Sequence, residues 1–177
     1  MMSCNSITDA AFVHLKGIHT LDMAGCSLGE YYANDVYVPP NITDAAFAHL
    51  KGIHTLNMSG CSTCTITNAA FVHLKGIHTL NMAWCRQTAI TDAAFAHLKG
   101  IHSLSLFGCT QLTSAVFTHL KGIMRLNIGL CRKLTLTDED EYLTGVEWLG
   151  MYDHSQAQVL VAESLGYPVD QEVYFSI

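Results

Sequence analysis

The sequence predicts an α/β solenoid, with a parallel β-sheet on the concave face and short helices on the convex face. Three observations predict it. The frame Phe-x-His-Leu-Lys-Gly-Ile-x-x-Leu-x-Met/Leu/Ile-x-x-Cys recurs at Phe12–Cys26, Phe47–Cys61, Phe71–Cys85, Phe95–Cys109 and Phe117–Cys131. The units start at Ile7, Ile42, Ile66, Ile90 and Leu112, so the gaps are 35, 24, 24 and 22 residues. Within each unit the apolar spacing changes halfway from three to two, the mark of a helix followed by a strand. Self-similarity at this period belongs to stacked units that bury their apolar faces against one another.

The first half of each unit reads as a helix. In the unit that begins at Ile42, Phe47 and Leu50 lie three apart and share a face. Two N-caps are open at each start. One is the Thr (Thr8, Thr43, Thr67, Thr91, Thr113), and the other is the next residue (Asp9, Asp44, Asn68, Asp92, Ser114). Either supplies a side-chain oxygen to the free amides of a first turn. Gly17, Gly52, Gly76, Gly100 and Gly122 are expected as left-handed residues that end the helices, with the preceding Lys at the negative helix end.

The second half reads as a short strand. Leu56 and Met58 alternate with Thr55 and Asn57, so the apolar pair points inward and the polar pair outward. For this unit the expected core is Ile42, Phe47, Leu50, Ile53, Leu56, Met58 and Cys61. A sixth, altered copy keeps Gly145, Val146, Leu149 and Met151 but has His154 in the Cys position. Ser155 to Leu165 reads as a helix, and Val173-Tyr174-Phe175 as a last strand. The expected organisation is an array of about six repeats over 1–154, with an insertion at 27–41, and a cap over 155–177.

Composition narrows the functional classes. Half of the 177 residues are hydrophobic, against disorder. No run approaches the roughly 18 apolar residues of a membrane span, and the start has no basic and apolar leader pattern. The expectation is an intracellular, cytoplasmic protein with seven reduced cysteines. Residues 1–133 carry nine Lys/Arg and six acids; residues 134–177 carry nine acids and no Lys or Arg. Neither part has the dense basic stripe of a nucleic-acid binder.

The side chains that repeat are read as scaffold. Cys26, Cys61, Cys85, Cys109 and Cys131 form a ladder of buried thiols hydrogen-bonded to the loop backbone. Cys61-x-x-Cys64 has the spacing of half a redox or zinc site, but no second pair exists. His19, His54, His78 and His102 begin the strands, and His14, His49, His73, His97 and His119 lie on the helices. They were copied together with Lys, Thr and Gly, so no metal and no cofactor are expected. No nucleophile, base and orienting group form a catalytic motif, so an enzyme is not expected either.

The Leu-x-x-Leu-x-Leu-x-x-Cys frame followed by Ile-Thr-Asp resembles the cysteine-containing leucine-rich repeats, over about residues 7–154. Such arrays form the substrate-binding ends of F-box proteins and are similar to those abundant in giant viruses of amoebae. For a viral chain the implied compartment is the host cytoplasm. The resemblance implies a horseshoe that binds a protein partner. Only six residues precede Ile7, so no F-box is expected on this chain. The remaining readings are a ubiquitin-ligase substrate selector with its F-box on another chain, or a structural array with little independent activity. Self-association through the N-terminal edge belongs with the latter.

Binding residues are sought where the copies differ. The outward strand positions run from Thr20/Asp22, Thr55/Asn57 and Thr79/Asn81 to Ser103/Ser105, Arg125/Asn127 and Trp148/Gly150. Trp84 and Phe107 follow their strands and are expected to add aromatic surface. Trp84, Phe107, Arg125 and Trp148 are therefore the candidate hot spot, and Tyr31, Tyr32 and Tyr37 in the insertion are candidate anchors. Six strands about 4.8 Å apart, three exposed residues wide, present about 240 Å². A standard interface uses roughly 800 Å² per partner, so loops must contribute.

Overall fold

A computed structural model describes residues 7–26, 30–31, 37–38, 42–62, 64–137, 141–155, 158–159, 162–163 and 165–170. The strands are β1 (Thr20–Asp22), β2 (Glu30–Tyr31), β3 (Tyr37–Val38), β4 (Thr55–Asn57), β5 (Thr79–Asn81), β6 (Ser103–Ser105), β7 (Arg125–Asn127), β8 (Trp148–Gly150) and β9 (Val169–Asp170). Seven of them form one sheet in the order β1-β4-β5-β6-β7-β8-β9, and every pair is parallel. The protein is thus a leucine-rich-repeat α/β solenoid, as the frame predicts. Equivalent residues stack in register, Leu21 on Leu56, Leu80, Leu104, Leu126 and Leu149. The insertion holds a separate antiparallel hairpin of β2 and β3. Among the described residues the last strand is Val169–Asp170, which follows helical residues 158–159 and 162–163. The expected strand at Val173–Phe175 lies outside the described residues.

The core is the predicted one. Ile42, Phe47, Leu50, Ile53, Leu56, Met58 and Cys61 are all buried, and the same positions are buried in the next three units. The convex elements are shorter than an ordinary helix. Asp9–Phe12 (α1), Asp44–Phe47 (α2) and Asn68–Phe71 (α3) are single α-turns, each followed by a three-residue 3₁₀ turn. Asp92–His97 and Ser114–His119 are 3₁₀ throughout. The spacing explains this: a 3₁₀ turn eclipses residues i and i+3, which aims Phe and Leu of each unit into the same core.

The glycines end the convex elements in left-handed geometry, as expected. Lys16, Lys51 and Lys75 leave helical geometry, with ψ of 127°, 124° and 125°. The following Gly17, Gly52 and Gly76 have φ of 77°, 86° and 85°. The amide of Ile18, Ile53 and Ile77 donates back to the carbonyl of Leu15, Leu50 and Leu74. Leu-Lys-Gly-Ile is therefore a type II turn, whose third position requires positive φ. It swings the chain directly from convex element to strand, with the Lys both the C-cap of the 3₁₀ element and the second residue of the turn.

The choice between the two N-caps is also settled, because each residue has a different task. The Thr begins its own turn: Thr43, Thr67 and Thr113 accept from the amides of Ala45, Ala69 and Ala115. The next residue reaches across to the following unit. Asp9 accepts from the Thr43 amide at 2.8 Å and its hydroxyl at 2.6 Å. Asp44 holds Thr67 at 2.8 and 2.7 Å, and Asp92 holds Thr113 at 2.9 and 2.7 Å. At Asn68 the polarity changes: its Nδ2 donates to Thr91 Oγ1 at 2.8 Å, and Thr91 makes no cap bond.

Two outcomes are expected from this clamp. Asp44→Ala orphans the Thr67 amide and hydroxyl and lowers unfolding stability by about 1–3 kcal/mol in urea titration. Asn68→Asp lets the Thr91 hydroxyl donate to a carboxylate and accept from the Ala93 amide. That variant is expected to gain about 0.5–1.5 kcal/mol, seen as a higher melting temperature.

Candidate binding face and loop edge

The candidate site begins with how the loop after each strand is held. Asp22, Asn57, Asn81 and Asn127 turn their side-chain oxygens back to accept from the amides of Ala24, Ser59, Ala83 and Gly129. The Asn at these outward positions therefore serves the turn rather than an open face. Asn81 and Asn127 are only 7% and 2% exposed, and Ser103 and Ser105 are 4% and 1% exposed. This corrects the expectation of an open row of polar groups along the sheet. From β5 onward, Thr79, Arg125 and Trp148 are the outward strand residues that stay partly exposed.

Cys side chains close the loops from beneath. Cys61, Cys85, Cys109 and Cys131 donate to the carbonyls of Met23, Met58, Met82 and Leu106, at 3.4, 3.1, 3.1 and 2.9 Å. His154 takes over at the sixth position, with Nε2 2.9 Å from the Ile128 carbonyl. Burial pushes the Cys85 and Cys131 thiols up to about 12 and raises Cys109 well above its ordinary value. The hydrogen bond with Cys64 and burial together hold the Cys61 thiol far above its ordinary range. Thiols that stay protonated are poor nucleophiles and poor metal ligands.

The strand-initial histidines form a stacked column. Ring centroids of His19, His54, His78 and His102 lie 4.5, 4.5 and 4.3 Å apart, with interplanar angles of 12–15°. Nδ1 of His19, His54 and His78 faces the hydroxyl of the following Thr at 3.4, 3.2 and 3.1 Å. Face-to-face stacking points the ring nitrogens side by side rather than at a common centre. Among the described residues no group of three or more His, Cys, Asp or Glu is placed to hold a metal.

The four candidate hot-spot residues fall into two places. Arg125 and Trp148 are adjacent on β7 and β8, with the guanidinium 5.7 Å from the indole centroid. Trp148 Nε1 also donates to Asp170 at 3.2 Å. Trp84 and Phe107 lie instead on the loop edge, in an edge-to-face pair at 5.3 Å. Phe107 is 3% exposed, which corrects its reading as aromatic surface. Its ring lies on Gly129, where an added Cβ would come within 2.7 Å. The Trp84 ring lies likewise on Gly108, yet Trp84 remains 38% exposed. Phe107 is thus a support beneath Trp84 and beside Tyr152, whose ring is 6.1 Å away. Tyr31 and Tyr37 lie on the two strands of the hairpin, paired with each other. Tyr32 lies outside the described residues, as do 138–140 of the acidic run.

Sequence reasoning missed the cations beside Trp84. The Arg86 guanidinium sits 4.8 Å from the Trp84 centroid, and its Nε donates to the Gly108 carbonyl at 3.2 Å. Arg132 pairs with Asp153 across the loops. The available signal was a broken glycine: Gly25, Gly60 and Gly108 have φ near 70°, and the same turn position is Trp84, Leu130 and Asp153 in the other units.

No family model matches this chain, and no curated protein matches it. Solved structures do. A chain of the yeast Rad7–Elc1 complex superposes with a TM-score of 0.64 at 14% identity, over 96% of this chain and 45% of that one. TLR13 in complex with a single-stranded RNA gives 0.58 at 20% identity, over 84% of this chain and 20% of that one. This chain therefore spans less than half the length of either protein. Both likenesses show the leucine-rich-repeat fold.

His78 of the column and His154 are expected to make stability depend on pH. Burial, then the neighbouring His102 and His54, hold the His78 imidazole below its ordinary value of 6.5. Burial does the same to His154. The unfolded chain therefore takes up protons first as pH falls through 6.5, so stability is full above that value and declines below it. The melting temperature is expected to fall between pH 7.5 and 5.5. His78→Asn is expected to flatten that slope without abolishing it, because His154 remains.

Proposed function

We propose that this protein is a non-enzymatic interaction module that binds a protein partner through the C-terminal half of its concave face and the adjacent loops. The observation that carries the reading is a uniform scaffold with a localised departure. Small Thr, Asn and Ser side chains line the sheet up to β6, and Arg125 and Trp148 then stand side by side on neighbouring strands. Arg and Trp are the residues most enriched at interface hot spots. Trp84 continues this surface onto the loop edge, with Phe107 supporting it from below. The insertion at 27–41, with Tyr31, Tyr32 and Tyr37 in its sequence, would enlarge the contact toward the area a stable interface requires.

On this reading residues 1–154 are the binding array and 155–177 its cap. The partner is a protein rather than nucleic acid or membrane, and the compartment is the cytoplasm. No helix among the described residues is long and apolar enough to cross a membrane. A ubiquitin-ligase role, with the F-box on another chain, would use the same surface to select a substrate. Affinity purification from the native cell followed by titration of the recovered partner tests the placement. Arg125→Ala with Trp148→Ala is expected to weaken binding by about thirtyfold or more. Unchanged affinity would remove the concave face from the reading.

A second reading rests on the first unit. Ile7, Leu15, Ile18 and Leu21 are only partly buried, whereas Ile42, Leu50, Ile53 and Leu56 are at most 2% exposed. An edge of this kind favours self-association, or a structural array that continues there. Light scattering separates the two: a concentration-dependent dimer abolished by Leu21→Glu supports edge pairing, and a monomer at all concentrations removes it.

A further inference from the structure

The loop edge holds a cleft of about 380 Å³. It is lined by Trp84 and Leu130, by three cations (Arg86, Arg132 and Lys133) and by Asp153. We propose that this cleft receives an acidic segment of a protein partner, with Asp or Glu side chains flanking one apolar or aromatic anchor. This deepens the interaction-module reading and rests on it.

The cations point there first. Five of the nine Lys and Arg residues are copies of the Leu-Lys-Gly turn lysine, namely Lys16, Lys51, Lys75, Lys99 and Lys121. The four that are not copies of it are Arg86, Arg125, Arg132 and Lys133, and three of these line one cleft. The backbone points to the same place. Among the described residues, the three non-glycine residues with positive φ are Trp84 (62°), Leu130 (59°) and Asp153 (62°), and all three line this cleft. A left-handed φ is unfavourable for any residue with a Cβ, and other units place glycine here. What the chain gains by departing from glycine is an indole, an isobutyl group and a carboxylate on the cleft wall.

The chemistry then selects the ligand. Trp84, 38% exposed and capped by the Arg86 guanidinium at 4.8 Å, supplies an apolar wall beside a fixed positive charge. The Arg132–Asp153 pair is exposed, with 76% and 39% of the two side chains open to solvent. Such a pair is weak and exchanges readily for another carboxylate. Three cations against one carboxylate leave the cleft positive on a chain of net charge −6. A long polyanion would meet repulsion beyond the cleft, whereas a short acidic stretch would not, and this favours peptide over nucleic acid.

The test is a selection of displayed random dodecapeptides on the full chain, with affinities of the enriched peptides read by fluorescence polarisation. Enriched sequences are expected to be acidic around one apolar residue. Their affinity should fall about tenfold or more in Arg86→Ala with Arg132→Ala, and again in the single variant Lys133→Glu at an exposed position. Higher salt should weaken binding in parallel, and Lys51→Ala, at an exposed turn that does not line the cleft, should leave it within about twofold. Neutral or basic enriched peptides, or affinities unchanged in both cleft variants, overturn the cleft. If those peptides depend on Arg125 and Trp148, the interaction-module reading stands without it; if no peptide is enriched at all, both fall. Displacement of the peptide by a twelve-nucleotide thymidine oligomer at lower concentration would overturn the proposal in favour of nucleic acid. A salt-sensitive dimer without peptide, lost in Lys133→Glu, would overturn it in favour of a second copy.

Discussion

No unit of this solenoid satisfies its own buried polar groups, and the rest of the structure follows from that. Cys61, Cys85, Cys109 and Cys131 each donate to a carbonyl of the unit before, and Asp9, Asp44 and Asp92 each complete the Thr of the unit after. The strands add a parallel ladder in strict register. Removing a neighbour exposes apolar surface and also orphans donors and acceptors in a low-dielectric interior. The units therefore stand or fall together, which is why the frame tolerates so little change at Cys, Thr, Leu and Gly. His154 shows the limit of that tolerance. An imidazole replaces a thiol because it can still aim one N–H at the Ile128 carbonyl.

The same constraint decides where function has room. Positions tied to a neighbour are committed to structure, including several that point away from the core. Asn57, Asn81 and Asn127 sit on the outward side of the sheet, yet their side chains brace the following turn. The histidine column is equally committed, with rings stacked on rings and Nδ1 turned to threonine. The units differ most in the C-terminal half of the concave face and at the loop edge beside it. There the copies diverge, cations gather, and three residues accept an unfavourable backbone geometry. Arg125 and Trp148 on one side of this region, and Trp84 with Arg86 on the other, give it two adjoining surfaces of related character.

Much of the fold was legible in the sequence because the repeat supplies several aligned readings of one unit. Period two marked the strands, spacing of three marked the convex turns, and seven apolar positions per unit marked the core. The convex turns were harder to type. A Phe and a Leu three apart satisfy both an α-turn and a 3₁₀ turn, and the short path between Thr and the Leu-Lys-Gly-Ile turn decides between them. The site was less legible. Trp84, Arg125 and Trp148 stand out by departing from the repeat, but Phe107 departs equally and is buried, because Gly129 opens a space that its ring fills. Arg86, Arg132 and Lys133 lie in loops of unequal length, where alignment gives no direction for a side chain.

The sequence by itself determined the architecture, the register and the core, since each is a local pattern repeated until only one stacking buries every apolar face. The tertiary structure alone decided which residues meet across units. It paired each Asp with the next Thr, laid Trp84 over Gly108, and gathered Trp84, Leu130 and Asp153 along one cleft wall. The physical reason is distance along the chain. Those partners lie more than twenty residues apart, and they become neighbours only after each strand has turned back and paired with the next.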